Sequence, residues 1–190
     1  MTKKILIGIA TYNECDNIKD LVEQIINTGE KNIDILIVDD NSSDGTIEEI
    51  KKLQKKINNI FLVVRMEKLG LGSAHKRILH FAKINKYDGL LTIDADFSHP
   101  PNLIKEFIKK NDEKSFIIAS RYAKGGSCDY IGYRKYISIL GNFVARSLLS
   151  IPSYEVTTSY RFFPKIILKS MNLGQIKSEG YAFLVEIINF

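Results

Sequence analysis

From Ile5 to Ala119 the chain alternates short apolar runs with stretches whose apolar residues recur at helical spacing, a pattern that few architectures accept. Ile5 to Ala10, Ile33 to Val38, Ile60 to Val64, Gly89 to Asp94 and Phe116 to Ala119 read as buried strands. Between them, residues such as Ile18, Leu21, Val22 and Ile25, or Ile47, Ile50, Leu53 and Ile57, form one stripe of a helix. Ala74, Ile78 and Ala82, then Leu103, Ile104, Phe107 and Ile108, repeat the pattern. Thr46-x-x-Glu49 predicts a capping box for the second helix, Ser73 predicts the cap of the third, and Pro101 marks the first turn of the fourth. The fold class expected is α/β, a mostly parallel sheet covered by helices on both faces.

Ligands of such sheets bind beyond the carboxyl ends of the strands, where this chain gathers its polar residues. Asn13 and Glu14 follow the first strand, Asp39 and Asp40 the second, Lys68 to Gly72 the third, Asp94 and Asp96 the fourth, and Arg121 the fifth. Asp94-Ala95-Asp96 delivers two carboxylates at one strand end, and such hard oxygens suit Mg²⁺ or Mn²⁺ with the remaining ligands drawn from water and a substrate diphosphate. The plainer alternative is that Asp94 ends the strand while Asp96 is solvated or caps the next helix.

A length of 190 residues with 45% hydrophobic residues fits one domain with a sizeable core. The net charge of +5 suits phosphate-bearing ligands or an anionic membrane surface. The lysines are spread over helical stretches with no nucleic-acid motif, so no nucleic-acid partner is expected. Cys15 and Cys128 have no metal-site or disulfide spacing, the start lacks the pattern of a signal peptide, and the apolar region from Tyr136 to Ile151 is too short to span a bilayer. A cytoplasmic protein is expected.

Gly70-x-Gly72-Ser73 lacks the Lys of a P-loop and the third Gly of a dinucleotide fingerprint, and it reads as a turn plus a helix cap. His75 and His80 read as ordinary helix residues, and His99, in the acidic turn, receives no role. Asp94-x-Asp96-x-Ser98 imitates the nucleophile loop of haloacid-dehalogenase-like phosphatases, but it follows the fourth strand where that loop follows the first. After Arg121 the pattern is less regular. Arg134 to Leu149 has helical spacing, Ser159 to Phe163 reads as a strand, Pro164 opens a helix, and Tyr181 to Ile188 is apolar around Glu186.

With these residues placed, the sequence resembles the inverting glycosyltransferases of the GT-A fold, most closely the dolichol-phosphate mannosyltransferase group. Ala10-Thr11-Tyr12-Asn13-Glu14 is similar to that family's Pro-Thr-Tyr-Asn-Glu, the stretch Val38 to Thr46 to its nucleotide loop, and Asp94 to Pro101 to its metal loop. Ala119-Ser120-Arg121-Tyr122 and Gly180-Tyr181-Ala182-Phe183 continue the agreement in order. The resemblance implies that Ala10, Tyr12, Glu14, Ile37 and Asp39 hold the nucleoside, that Asp94, Ala95 and Asp96 face the metal and diphosphate, and that Arg121 serves the phosphate region. Ala10 stands for the usual Pro, and Ser98 for a Gln on the metal side, where a water can bridge the shorter side chain to the ion.

The function implied is metal-dependent, inverting transfer of a sugar from a nucleoside diphosphate sugar, GDP-mannose or a UDP-sugar, to a polyprenyl phosphate at the cytoplasmic membrane face. Relatives that glycosylate hydroxyls use a carboxylate base. The corresponding late segment here, Val156 to Arg161, offers only Glu155 nearby, and a phosphate acceptor needs no strong base. The alternatives are transfer to a saccharide hydroxyl and a non-catalytic nucleotide-sugar-binding subunit. Arg134, Lys135 and Arg146 flank an aromatic helix whose apolar side is expected to pack on the sheet, contact with anionic lipid being the alternative. Residues 1–190 are expected to form a single catalytic domain, cut before the resembled family's further phosphate-binding Arg and Lys because Phe190 ends the chain without capping residues.

Overall fold

The computed structural model describes residues 3–123, 125, 126, 133–149, 151 and 153–189. Cys128 and Phe190 lie outside the described residues, as do the side chains of Arg134, Lys135 and Tyr181. The alternating half consists of β1 (Ile5–Thr11), α1 (Cys15–Asn27), β2 (Ile33–Asp39), α2 (Thr46–Gln54), β3 (Ile60–Val64), α3 (Leu71–Ile84), β4 (Gly89–Asp94) and α4 (Ile104–Lys110), the last entered through a 3-10 turn at Pro101–Leu103. Then follow β5 (Ile117–Ile118), α5 (Tyr133–Leu149), β6 (Arg161–Pro164), α6 (Lys165–Ser170) and α7 (Gly180–Glu186).

The strand order is β3-β2-β1-β4-β6-β5. The first four strands are parallel, and β6 enters antiparallel between β4 and the two-residue β5. The register sets Thr11 beside Asp39, Asp39 beside Val64, and Ala10 beside Asp94, so four parallel strands release their loops within one residue of the same level. Two cores sandwich the sheet. Side chains of α1, α2 and α4 pack with Ile5, Ile7 and Ile9 on one face, and those of α3, α6 and α7 with Leu6, Leu36 and Leu90 on the other. Successive strand residues point to opposite faces, so the continuous apolar runs feed both layers. The sheet packs closely at Gly89, where a Cβ would press on the Phe162 ring and push it aside.

Three local expectations change. The Thr46-Glu49 capping box does not form, because α2 begins at Thr46 itself and the Thr46 hydroxyl donates to Asp44 Oδ1 at 2.5 Å. Asp44 also accepts the Thr46 N–H at 3.0 Å, so the cap is an Asp-centred turn two residues earlier. Ser73 lies inside the first turn of α3, its hydroxyl donating back to Leu69 and Gly70 carbonyls, and Gly70, with φ 85°, precedes the helix. The apolar stripe of α5 does not pack on the sheet: Tyr136, Ile139, Leu140, Phe143 and Val144 are all exposed, Tyr136 by 73%. Among the described side chains of α5 the buried one is Asn142, whose Oδ1 accepts the Val156 N–H at 2.9 Å.

Candidate active site

The loops after β1 and β2 are laced into one wall. Asn13, in the left-handed region at φ 58°, donates its N–H to Ser42 Oγ at 2.8 Å and accepts the Ser43 N–H at Oδ1, 3.0 Å. Glu14 N–H donates to Thr46 Oγ1 at 2.9 Å, and Cys15 N–H to Asp44 Oδ2 at 3.0 Å. Burial works to raise the Asp44 carboxyl, but the bonds from Thr46 and Cys15 outweigh it and hold the group below the usual range.

The nucleoside residues suggested by the resemblance fall into two groups. Tyr12, 41% exposed, and the half-buried Glu14 offer surface to a ligand, the Glu14 carboxylate also accepting from Asn17 Nδ2 at 2.8 Å. Ile37 and Asp39 do not, since both are fully buried. Ile37 lies in the core, and Asp39 accepts from Thr11 Oγ1 at 2.7 Å, Ser42 N at 2.8 Å and Ser42 Oγ at 2.7 Å. These two shape the floor, with half-buried Ala10 beside them, and Asp39 sets the path of the loop. Its neighbour Asp40 pairs with Arg65 and accepts the Gly70 N–H at 2.9 Å, tying β2 to the start of α3. The Gly70-x-Gly72 loop is thus a turn held by protein carboxylate and guanidinium groups.

At the end of β4, Asp94 is partly exposed, Ala95 is buried, and Asp96 and Ser98 are exposed. Asp96 Oδ1 accepts the Ser98 N–H at 3.0 Å, and Phe97 between them sits at φ 58°, a conformation that costs an aromatic residue about 1 kcal/mol or more. Asp96 is therefore exposed, shapes its own turn and does not cap α4. Two carboxylates on one accessible turn fit a hard divalent cation. No cluster of three His, Cys, Asp or Glu suited to a metal exists among the described residues.

Around this turn the structure brings together the expected Arg121 with His99, Glu155 and Arg161, to which the sequence assigned no role. His99 accepts the Asp94 N–H at Nδ1, 3.2 Å, which leaves the proton of a neutral imidazole on Nε2, 3.2 Å from Thr158 Oγ1. Its ring stacks on Tyr160 with centroids 5.0 Å apart, and burial lowers its pKa against the pull of Asp94 and Asp96. Arg121 reaches the same edge, where its backbone N–H donates to Glu155 Oε2 at 2.8 Å and its Nε to Oε1 at 2.9 Å, with Nη2 also on Oε1. Arg161, fully buried, donates to the carbonyls of Thr158, Leu184 and Val156 at 2.6, 2.6 and 2.7 Å. Only its place inside the apolar run Tyr160 to Phe163 hints at this.

His75, read as an ordinary helix residue, is buried at 2% exposure with Nε2 unpartnered and its ring stacked on Phe183 at 5.9 Å. Burial lowers its pKa to about 4, with Asp94 opposing. The native state then binds fewer protons than the unfolded chain between about pH 4 and 6.5, so stability is complete above that window and falls as pH drops through it. We expect urea unfolding to show about 2 kcal/mol lost between about pH 7 and 4.5 through this group. His75→Phe, which keeps a ring, should remove that component; an unchanged pH dependence would contradict it.

A sequence model of one family covers residues 6–171, most of the chain: glycosyl transferase family 2. This chain belongs to that family. It is 29% identical over 189 residues to the polyprenol monophosphomannose synthase of Mycolicibacterium smegmatis, spanning 98% of this chain and 71% of that protein. It is also 29% identical over 185 residues to the undecaprenyl-phosphate mannosyltransferase of Micrococcus luteus, spanning 97% and 76%. Among solved structures, glucosyl-3-phosphoglycerate synthase from Mycobacterium tuberculosis in complex with UDP matches with a TM-score of 0.69 at 16% identity, covering 97% of this chain and 64% of that one. A further structure of that enzyme holds Mn²⁺ with UDP and its product. At such identity the likeness bears out the GT-A fold, and family membership makes this member a glycosyltransferase.

Proposed function

We propose that this glycosyltransferase transfers a sugar, with inversion, from a nucleoside diphosphate sugar to a polyprenyl phosphate at the cytoplasmic face of a membrane. The observation that carries the acceptor is the state of Glu155. This carboxylate, fully buried, accepts three N–H groups of Arg121, so it has no surface to offer a substrate and most of its acceptor sites are occupied. An acceptor that brings its own anion needs no such base. The names of the two mannosyltransferase relatives support the same choice.

Tyr12 and Glu14 are placed to hold the nucleoside over the floor made by Ala10, Ile37 and Asp39. Asp94 and Asp96, with a water from Ser98, would hold Mg²⁺ or Mn²⁺, which when bound supplies positive charge to the leaving diphosphate. Arg121 stands beside the phosphate region, oriented by Glu155, and His99 joins the Asp94 turn to Thr158. The described part of the chain has no helix long and apolar enough to cross a membrane, and we place the lipid acceptor at the membrane surface. The exposed stripe of α5 suits that surface. The helix contains no acidic residue but carries Arg134, Lys135 and Arg146, and Asn142 pins it to Val156 next to Glu155. We assign it to contact with anionic lipid.

The test combines labelled nucleotide sugars with vesicles carrying a polyprenyl phosphate. Label should enter the lipid phase on thin-layer separation, and the protein should float with anionic vesicles, less so when Leu140 and Phe143 are replaced by Gln. Label confined to an aqueous saccharide would overturn the acceptor, and donor binding indifferent to Mn²⁺ without turnover would make the chain a binding module. Absence of flotation would remove α5 from the account.

A further inference from the structure

Lys68 lies in the loop between β3 and α3, with its ammonium 3.7 Å from the centre of the Tyr12 ring. Tyr12 follows β1 and Lys68 follows β3, with β2 between those strands in the sheet, and the loop is bonded over the end of β2 through the Gly70 N–H and Asp40. The loop does not need this contact for its own shape. Arg65 holds it through Asp40, Ser73 and the Gly70 carbonyl, and the Gly70 N–H bonds Asp40. Lys68 makes no hydrogen bond or ion pair among the described residues. A rotamer-rich, exposed lysine therefore covers the face of an exposed aromatic ring at the site where a nucleoside is proposed to sit. An exposed cation–π contact shifts an equilibrium only about two- to fivefold, so this pose exchanges readily for a better one.

We propose that Lys68 is a donor-specificity residue, whose ammonium covers the Tyr12 ring in the free protein and moves onto the diphosphate when a nucleoside diphosphate takes that face. The inference rests on the function proposed above. A bare nucleoside must displace the ammonium and offers it nothing in return. A nucleoside diphosphate displaces it and then provides anionic oxygens, in reach of the same flexible stem. The residue thus favours phosphorylated donors over nucleosides at a surface where stacking alone would accept both.

Calorimetric titration of Lys68→Met with uridine, guanosine, UDP and GDP in the presence of Mn²⁺ tests it. The nucleosides should bind about two- to fivefold more tightly than to the unsubstituted protein, because their competitor is gone. The diphosphates should bind about three- to fivefold more weakly at about 50 mM salt, with the loss shrinking near 500 mM. Lys68→Arg should keep diphosphate affinity. In a Tyr12→Ala background the nucleoside gain should vanish while the diphosphate loss persists. Equal weakening of both ligand classes, or no change in either, overturns the inference. Failure of the unsubstituted protein to bind any diphosphate overturns the proposed function and this inference together; tight diphosphate binding indifferent to Lys68 overturns this inference alone.

Discussion

Asp96→Asn should reduce sugar transfer by about 10³-fold or more while leaving the fold intact. The size follows from what the position supplies. A carboxylate that holds a divalent cation against a leaving diphosphate contributes to the charge balance of the transition state, and losing one aimed electrostatic group in such a site typically costs about 10²- to 10³-fold. Removing a ligand from a shell with only two protein carboxylates should exceed that range. The fold has little at stake, because Asp96 is exposed and its one hydrogen bond among the described residues, from the Ser98 N–H at 3.0 Å, can be kept by the Asn oxygen. Mn²⁺ binding followed by electron paramagnetic resonance, beside a thermal melt, separates the two effects. Weakened Mn²⁺ binding with an unchanged melt is expected; full transfer activity would remove Asp96 from the metal site.

The contrast between what the sequence revealed about this turn and about its surroundings has a physical basis. Apolar periodicity reports which residues are buried, so the strand ending at Asp94 and the gathering of acids at one edge were legible. Periodicity is silent on neighbours. That β6 inserts antiparallel between β4 and β5 depends on long-range pairing of Thr92 with Arg161 and of Ile118 with the same residue. Short polar motifs were less dependable than runs, because a hydroxyl or carboxylate has several partners within reach. Thr46 chose Asp44 over the capping box, and Asp39 spent its acceptors on Thr11 and Ser42. The expectation that α5 would pack its apolar side failed for a related reason. Amphipathicity shows that a helix has an apolar face, and only the tertiary structure shows what covers it. Arg161 and His75 are the reverse case, polar side chains drawn into the interior by the packing of β6 and α3.

Glu155→Leu should lower the stability of the whole domain by about 3 to 5 kcal/mol, the usual cost of removing one partner from a buried ion pair. Glu155 has no exposed surface, and three N–H groups of Arg121 converge on it. Its charge also supports the buried Arg161, whose own burial works against the cationic form. Leucine would fill the volume yet remove the carboxylate on which three N–H groups of Arg121 converge, and one of the two carboxylates, Asp94 being the other, whose charge favours the cationic form of Arg161. For a domain of this size the melting temperature should fall by about 10 °C or more. Glu155→Gln discriminates between two roles. If Glu155 were a general base, the amide would abolish transfer and spare the melt. Held as it is, the amide NH₂ must instead face N–H donors of Arg121, so stability should fall by about 2 kcal/mol. Transfer should then drop through the displaced Arg121, most at the phosphate-binding step. Differential scanning calorimetry beside initial rates at several acceptor concentrations decides it. A melt unchanged in both variants would refute the assignment, and so would loss of turnover with unchanged acceptor KM and full stability, which would return Glu155 to the chemistry.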